Sequence, residues 1–402
     1  MKIKGISRGV LFLPVVFIML GLFMKPSPVL AEGARGVSDD MVKIGLIADM
    51  TGPIATTWMT AVEGFRNYIR HVNDRGGVLG RKIKGIYEDS RYTIPGDVAA
   101  FKKLMFRDEV LAMLGASSTG GTIALFSQIR KLKVPVLAAS QAESMYNPPK
   151  RYVFCTAAGY SEEVKVLFDF ILKDLKAENP RIGIVYPDVE FGKTNLAQAK
   201  ESAKHYRVKI YPEVLNVGAI EASSQALSLK RKKVSHVLIF QLVSGATCFM
   251  REARKFKLEV PFYGTGWTCS EDTIKISGQA AKKYSGVHAY SSWYDDTQGM
   301  ARLRKITLKI NPVEKAYTKN YTKGWLCAMI FEEAMKRASR NLDGESLVAA
   351  LESFKNFDTG GVTGYITYGP NERMGGEYLR MYKADVENNK LIPITDWRKA
   401  AH

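Results

Sequence analysis

The chain has 402 residues, 46% of them hydrophobic and 24% charged, and carries a formal net charge of +18. This apolar content, without low-complexity tracts, excludes a disordered chain; four cysteines in such a length exclude a disulfide-built scaffold. The basic residues are scattered through helical stretches such as 230–233 and 251–257, so they read as a solvated surface able to attract anionic solutes and not as a nucleic-acid site.

In chain order, Lys2, Lys4 and Arg8 precede an apolar run over residues 10–24, interrupted by Pro14 and followed by Pro26 and Pro28. A membrane-spanning helix needs about 20 apolar residues, so the run reads as a signal peptide over residues 1–31, with Val29 and Ala31 as the small residues before the cleavage point. Export to the periplasm is the expected destination. The rest of the chain suits two domains of about 100–200 residues each.

From Met41 short β-branched runs alternate with longer amphipathic stretches, the pattern of βα units on a parallel sheet. Strands are expected at residues 42–48, 82–87, 110–114, 134–138, 182–186, 208–211, 236–240 and 262–264. Between them Val62, Phe65, Ile69 and Val72 mark one helix face, and Val164, Leu167, Phe168, Ile171 and Leu175 another. The rhythm breaks at 152–159, at 284–290 and at 358–369, before terminal strands at 377–383 and 391–394. The fold class expected is therefore α/β: two open, mainly parallel-sheet lobes joined by three hinge strands, with a ligand cleft between. One lobe comprises residues 32–157 plus 289–361, the other 158–288 plus 362–402. Hinge motion is expected near 155–159 and 285–288.

Ligands of such sheets collect at the carboxyl ends of strands, where helix N-termini offer free N–H groups. After the strand ending at Leu114 comes Gly115-Ala116-Ser117-Ser118-Thr119-Gly120-Gly121-Thr122, then a helix over 123–131. Small residues let the backbone approach a ligand, and hydroxyls beside a helix start suit a carboxylate. The same hydroxyls also make ordinary helix caps. No Gly-Lys-Ser/Thr closes the segment, so it is no phosphate loop. The next strand end offers residues 138–144, and the first strand leads into Asp49-Met50-Thr51-Gly52-Pro53 with Trp58 close behind. The five histidines lack metal-ligand spacing, and neither His-Glu-x-x-His nor Gly-x-Ser-x-Gly occurs. No enzyme, cofactor or metal is expected. Glu162 and Glu163 read as first-turn helix residues favoured by the helix dipole. Cys248 and Cys269 follow consecutive expected strands and are open either to pairing or to staying as thiols.

Val42-Lys43-Ile44-Gly45-Leu46-Ile47-Ala48-Asp49-Met50-Thr51-Gly52-Pro53, then Asn73-Asp74-Arg75-Gly76-Gly77-Val78-Leu79-Gly80 and Glu88-Asp89, resemble in order the opening of type I periplasmic binding proteins of the leucine/isoleucine/valine branch. Arg181-Ile182-Gly183-Ile184-Val185-Tyr186 with Phe191-Gly192, and Tyr263-Gly264 after Val260-Pro261, are similar to that family's second lobe. The resemblance implies closure of two lobes around a small-molecule ligand and delivery, by a monomer, to the permease and ATPase subunits of an ABC importer. A sensor module reporting to a signalling partner is the alternative.

The resemblance also places the site. The carboxylate-binding hydroxyl after the third strand falls on Ser118 and Thr119; the groups at the next strand end fall on Ser140 and Ala142. The family's acidic partners for an ammonium fall on Tyr160 and Gly266, neither of them charged. An ammonium left unpaired in a closed cleft costs several kcal/mol, so the expected ligand is an aromatic or branched carboxylate without an α-ammonium. Trp58, Tyr160 and Trp267, with Tyr290 and Trp293, are expected to give it aromatic contact. An ammonium would otherwise have to meet main-chain carbonyls, the ring of Trp267 or Glu143.

Overall fold

A computed structural model describes residues 1–2, 5, 34–312 and 317–401. The expected signal peptide lies almost wholly outside the described residues. The first elements in chain order are β1 (Met41–Ala48), α1 (Ala55–Asp74), β2 (Lys82–Asp89), α2 (Ile94–Phe106), β3 (Ala112–Leu114), α3 (Thr119–Leu132), β4 (Val136–Leu137), α4 (Glu143–Tyr146) and β5 (Val153–Phe154). The five strands are parallel, in the order β2-β1-β3-β4-β5. The apolar runs of β1, β3, β4 and β5 are buried on both faces, as a sheet covered by helices requires.

The second sheet repeats the scheme with α5 (Tyr160–Asp169), β6 (Arg181–Tyr186), α6 (Glu190–Tyr206), β7 (Lys209–Val214), α7 (Ser223–Arg231), β8 (His236–Ile239), α8 (Val243–Lys255), β9 (Phe262–Gly264), α9 (Glu271–Ser277) and β10 (Tyr284–His288). Its parallel part runs β7-β6-β8-β9-β10, the same second-first-third-fourth-fifth order as the first sheet. Both lobes therefore have a switch point, between β1 and β3 and between β6 and β8, where crossovers leave the sheet in opposite directions and a crevice opens at the strand ends.

After β10 the chain forms α10 (Gln298–Ile310), α11 (Lys319–Ala338) and α12 (Gly344–Glu352), a hairpin of β11 (Thr367–Gly369) and β12 (Glu372–Gly375), then β13 (Arg380–Asp385) and β14 (Lys390–Pro393), which extend the second sheet antiparallel from β10. α11 packs on α1 through two glycines: a Cβ on Gly64 would strike the carbonyl oxygen of Tyr321, and one on Gly324 that of Ala61. This close crossing fixes where the first turns of α11 lie. The hairpin sits beside β5, where Cys155 N–H donates to the Arg373 carbonyl at 2.8 Å and the rings of Phe154 and Tyr368 meet edge-on at 5.1 Å. The passages between lobes are also tied together, Tyr290 pairing with Thr363 and Ser291 N–H donating to Val362 O at 2.9 Å.

Phe262–Gly264 matches its expected strand residue for residue, whereas the strands expected at 110–114 and 134–138 shorten to β3 and β4. α3 begins at Thr119 instead of residue 123, because the Ser118 hydroxyl accepts the Gly121 N–H at 3.0 Å and caps it there. Half of the expected binding loop is thus the first turn of a helix. All four cysteines are free, so Cys248 and Cys269 do not pair.

Candidate functional site

The strand ends of both sheets converge on Trp267, in the turn after β9. On one side is a chamber lined by Ile54 and Trp58 at the start of α1, Tyr92, Ser117 and Thr119 at the start of α3, Ser140 after β4, Tyr160 at the start of α5, and Phe191 and Leu242 at the starts of α6 and α8. Thr119 and Ser140 hydroxyls are 2.9 Å apart, and Ser140 Oγ also accepts the Ala142 N–H at 3.1 Å. Trp267 Nε1–H donates to Tyr160 Oη at 2.8 Å, and the Trp58 and Trp267 rings lie tilted with centroids 6.1 Å apart. Burial pushes the Tyr160 phenol up to about 12, so it stays neutral; the Trp267 and Ser140 hydrogen bonds only partly oppose the shift. Trp58 Nε1 is buried with no partner. In a close-packed interior such an orphan donor calls for explanation, and here it belongs to a ring that lines a cavity.

The other side of Trp267 is charged. This second chamber is lined by Gln141, Glu163, Gly266, His288, Tyr290, Lys319, Asn320 and Lys323, among others. Glu163 accepts the Gly266 N–H at 3.0 Å. Lys323 Nζ lies 3.9 Å from the centre of the Trp267 ring and donates to the Ala139 carbonyl at 2.8 Å. Glu271, from α9, accepts the Lys319 main-chain N–H at 3.0 Å and so supplies the acid at the start of α11. Burial raises the Glu163 carboxyl and lowers the Lys319 and Lys323 ammoniums, Lys323 to about 7. The chambers are small: each encloses about 10 Å³, room for one water molecule at most.

Residues 41–390 match the family model described as periplasmic binding protein. The chain belongs to the periplasmic binding protein family. It is 22% identical over 348 residues to a Leu/Ile/Val-binding protein of Rhizobium johnstonii, covering 85% of this chain and 91% of that one. It is 21% identical over 253 residues to the leucine-specific-binding protein of Salmonella typhimurium, covering 62% and 67%. Among solved structures it superposes on a branched chain amino acid ABC transporter protein of Thermus thermophilus with bound valine (TM-score 0.84, 22% identity, 91% and 98% covered). It also superposes on a fatty acid ABC transporter substrate-binding protein of Thermomonospora curvata (TM-score 0.82, 21% identity, 92% and 95% covered). These relatives are binding proteins and not enzymes, as expected for this periplasmic binding protein from its sequence.

Of the residues singled out by sequence, Trp58, Thr119, Ser140, Tyr160 and Trp267 line the first chamber, and Gly266, Trp267 and Tyr290 the second. Ser118 is spent on structure: its hydroxyl caps α3 and donates to Asp97 at 2.8 Å. Ala142 N–H is taken by Ser140, and Trp293 packs against Tyr317 with ring centroids 5.0 Å apart. Glu143 is exposed and accepts from Asn147, away from both chambers.

Sequence reasoning missed the charged group. Glu163 is three residues after Tyr160 on α5, hence on the same helix face, and its carboxylate accepts the N–H of Gly266, a position read from sequence only as uncharged. Lys323 occupies the Trp267 face offered to a ligand ammonium. One signal was available: Lys319 and Lys323 open a helix with no acidic residue in its own first turn, where the dipole disfavours cations.

Proposed function

We propose that this protein is the periplasmic, monomeric substrate-binding component of an ABC importer and that it captures a small organic carboxylate lacking an α-ammonium by closing its two lobes. The carrying observation is the first chamber: the Thr119 and Ser140 hydroxyls at a helix start, with the unpartnered Trp58 N–H, beneath a wall of Trp58, Tyr160 and Trp267. Neutral donors at a helix N-terminus suit a carboxylate, and the rings suit an aromatic or branched body. Chambers this small require the facing walls to part before a ligand enters, as hinged lobes allow. The passages at 155–159 and 288–291 carry that motion. The third passage follows the hairpin that packs beside β5, near residues 376–379.

A second reading is an amino acid whose ammonium meets Glu163. Against it, Lys319 and Lys323 line the same chamber, and burial already raises Glu163 toward its neutral form. Thermal-shift screening of the purified protein against carboxylates and amino acids tests the reading, since a ligand bound only by the folded state stabilises it by mass action. Thr119→Ala should weaken carboxylate binding by about 1–3 kcal/mol. Unchanged affinity would remove the hydroxyl pair from the site.

A further inference from the structure

We propose that the second chamber is a subsite for another acidic group of the ligand, so that the solute is a dicarboxylate with a flat or apolar spacer lying along Trp267. The inference rests on the carboxylate reading of the first chamber and goes beyond it. Lys323 is 5% exposed, and among the described residues neither its ammonium nor that of Lys319 has a carboxylate within 4.0 Å. A buried cation without a counter-ion is costly. An ammonium has three donors, and the partners of Lys323 are a single carbonyl and the Trp267 ring.

Two independent features point the same way. Asn320, on the α11 turn between the two lysines, is 1% exposed with neither its amide oxygen nor its nitrogen bonded. His288 is equally buried; Tyr290 meets its Nδ1, while Nε2 has no partner. Both side chains line the chamber. Glu163, the acid lining this wall, is committed to the Gly266 N–H. A carboxylate brought by the ligand would supply Lys323 with its counter-ion and Asn320 with an acceptor, in charge-assisted hydrogen bonds. Trp267 borders both chambers, which places the two acidic groups on either side of one ring.

Calorimetric titration with two matched pairs, terephthalate against benzoate and adipate against hexanoate, with leucine alongside, tests this. In at least one pair the diacid should bind about tenfold or more tighter than the monoacid. That ratio should fall to about one in Lys323→Met and shrink in Asn320→Ala, two variants that each test the subsite if the other fails to fold. Diacids no tighter than monoacids in both pairs, with Thr119→Ala weakening all of them, would overturn the second subsite and leave the carboxylate reading standing. An equal loss for mono- and diacids in Lys323→Met would overturn it too. Binding of leucine alone would overturn both readings.

Discussion

The two chambers flanking Trp267 are built from the same material, strand ends and helix starts of two sheets with one strand order, yet they solve burial differently. On the Thr119 side the polar groups are neutral and largely satisfy one another, Thr119 with Ser140 and Tyr160 with Trp267. On the Lys323 side charges are buried at a distance from one another, and several polar atoms have no partner. A self-satisfied network contributes to the fold before any ligand arrives. A buried charge without a counter-ion weakens the fold, and its presence at a cleft points to a task in binding.

The largest expected effect breaks the comparison by moving one chamber. Gly324→Ala puts a methyl against the Ala61 carbonyl and pushes α11, with Lys319, Asn320 and Lys323, off α1. A stability loss of about 3 kcal/mol is expected from denaturant midpoints, together with loss of ligand binding.

Next, Lys323→Met should raise stability by about 2 kcal/mol near pH 6, because it removes a buried charge whose hydrogen bond and ring contact only partly offset its desolvation; an equal loss would show the cation to be structural.

The pH dependence sharpens the contrast further. Lys323 is held near 7 in the folded protein against an ordinary 10.5, so between those values the unfolded chain binds more protons and this group makes stability rise with pH. An anion placed beside Lys323 favours its protonated form, so binding takes up a proton. Affinity should then fall about tenfold from about pH 7 to about pH 9, and the slope should flatten in Lys323→Met. The groups facing Lys323 are Lys319 and Cys327 on its own helix, Glu163 on α5, Cys155 beyond β5 and His288 at the end of β10. Glu163, raised by burial, has the opposite sign below pH 7, its contribution to stability falling as pH rises toward its folded value.

The smallest effect concerns the neutral side. Trp58→Phe keeps an aromatic ring but removes the orphan N–H and part of the buried indole, so carboxylate affinity should drop about fivefold, with a stability loss of about 1 kcal/mol from the smaller ring.

The architecture was legible because its signals are local. The β-branched runs marked the parallel strands, and the glycines and hydroxyls after β3 marked a loop whose Thr119 lines the first chamber. Ser118 shows the limit of that signal, since a hydroxyl before a helix reads the same whether it caps the helix or faces a ligand. The charged chamber was harder to read, because its parts come from α5, the β9 turn and the start of α11, far apart in sequence; the close crossing of α1 and α11 at Gly64 and Gly324 sets only where the last of these lies. Glu163 looked like an ordinary first-turn acid until Gly266 N–H was seen to lie on it. The shared strand order of the two lobes was equally hidden, being a matter of pairing and not of sequence period.

The central claim, that this periplasmic binding protein takes a carboxylate without an α-ammonium, is tested most directly by titrating it with leucine and with 4-methylpentanoate, which lacks only the amino group. The account predicts that 4-methylpentanoate binds at least as tightly as leucine. Leucine binding about tenfold or more tightly would contradict it and return Glu163 to the role of ammonium partner.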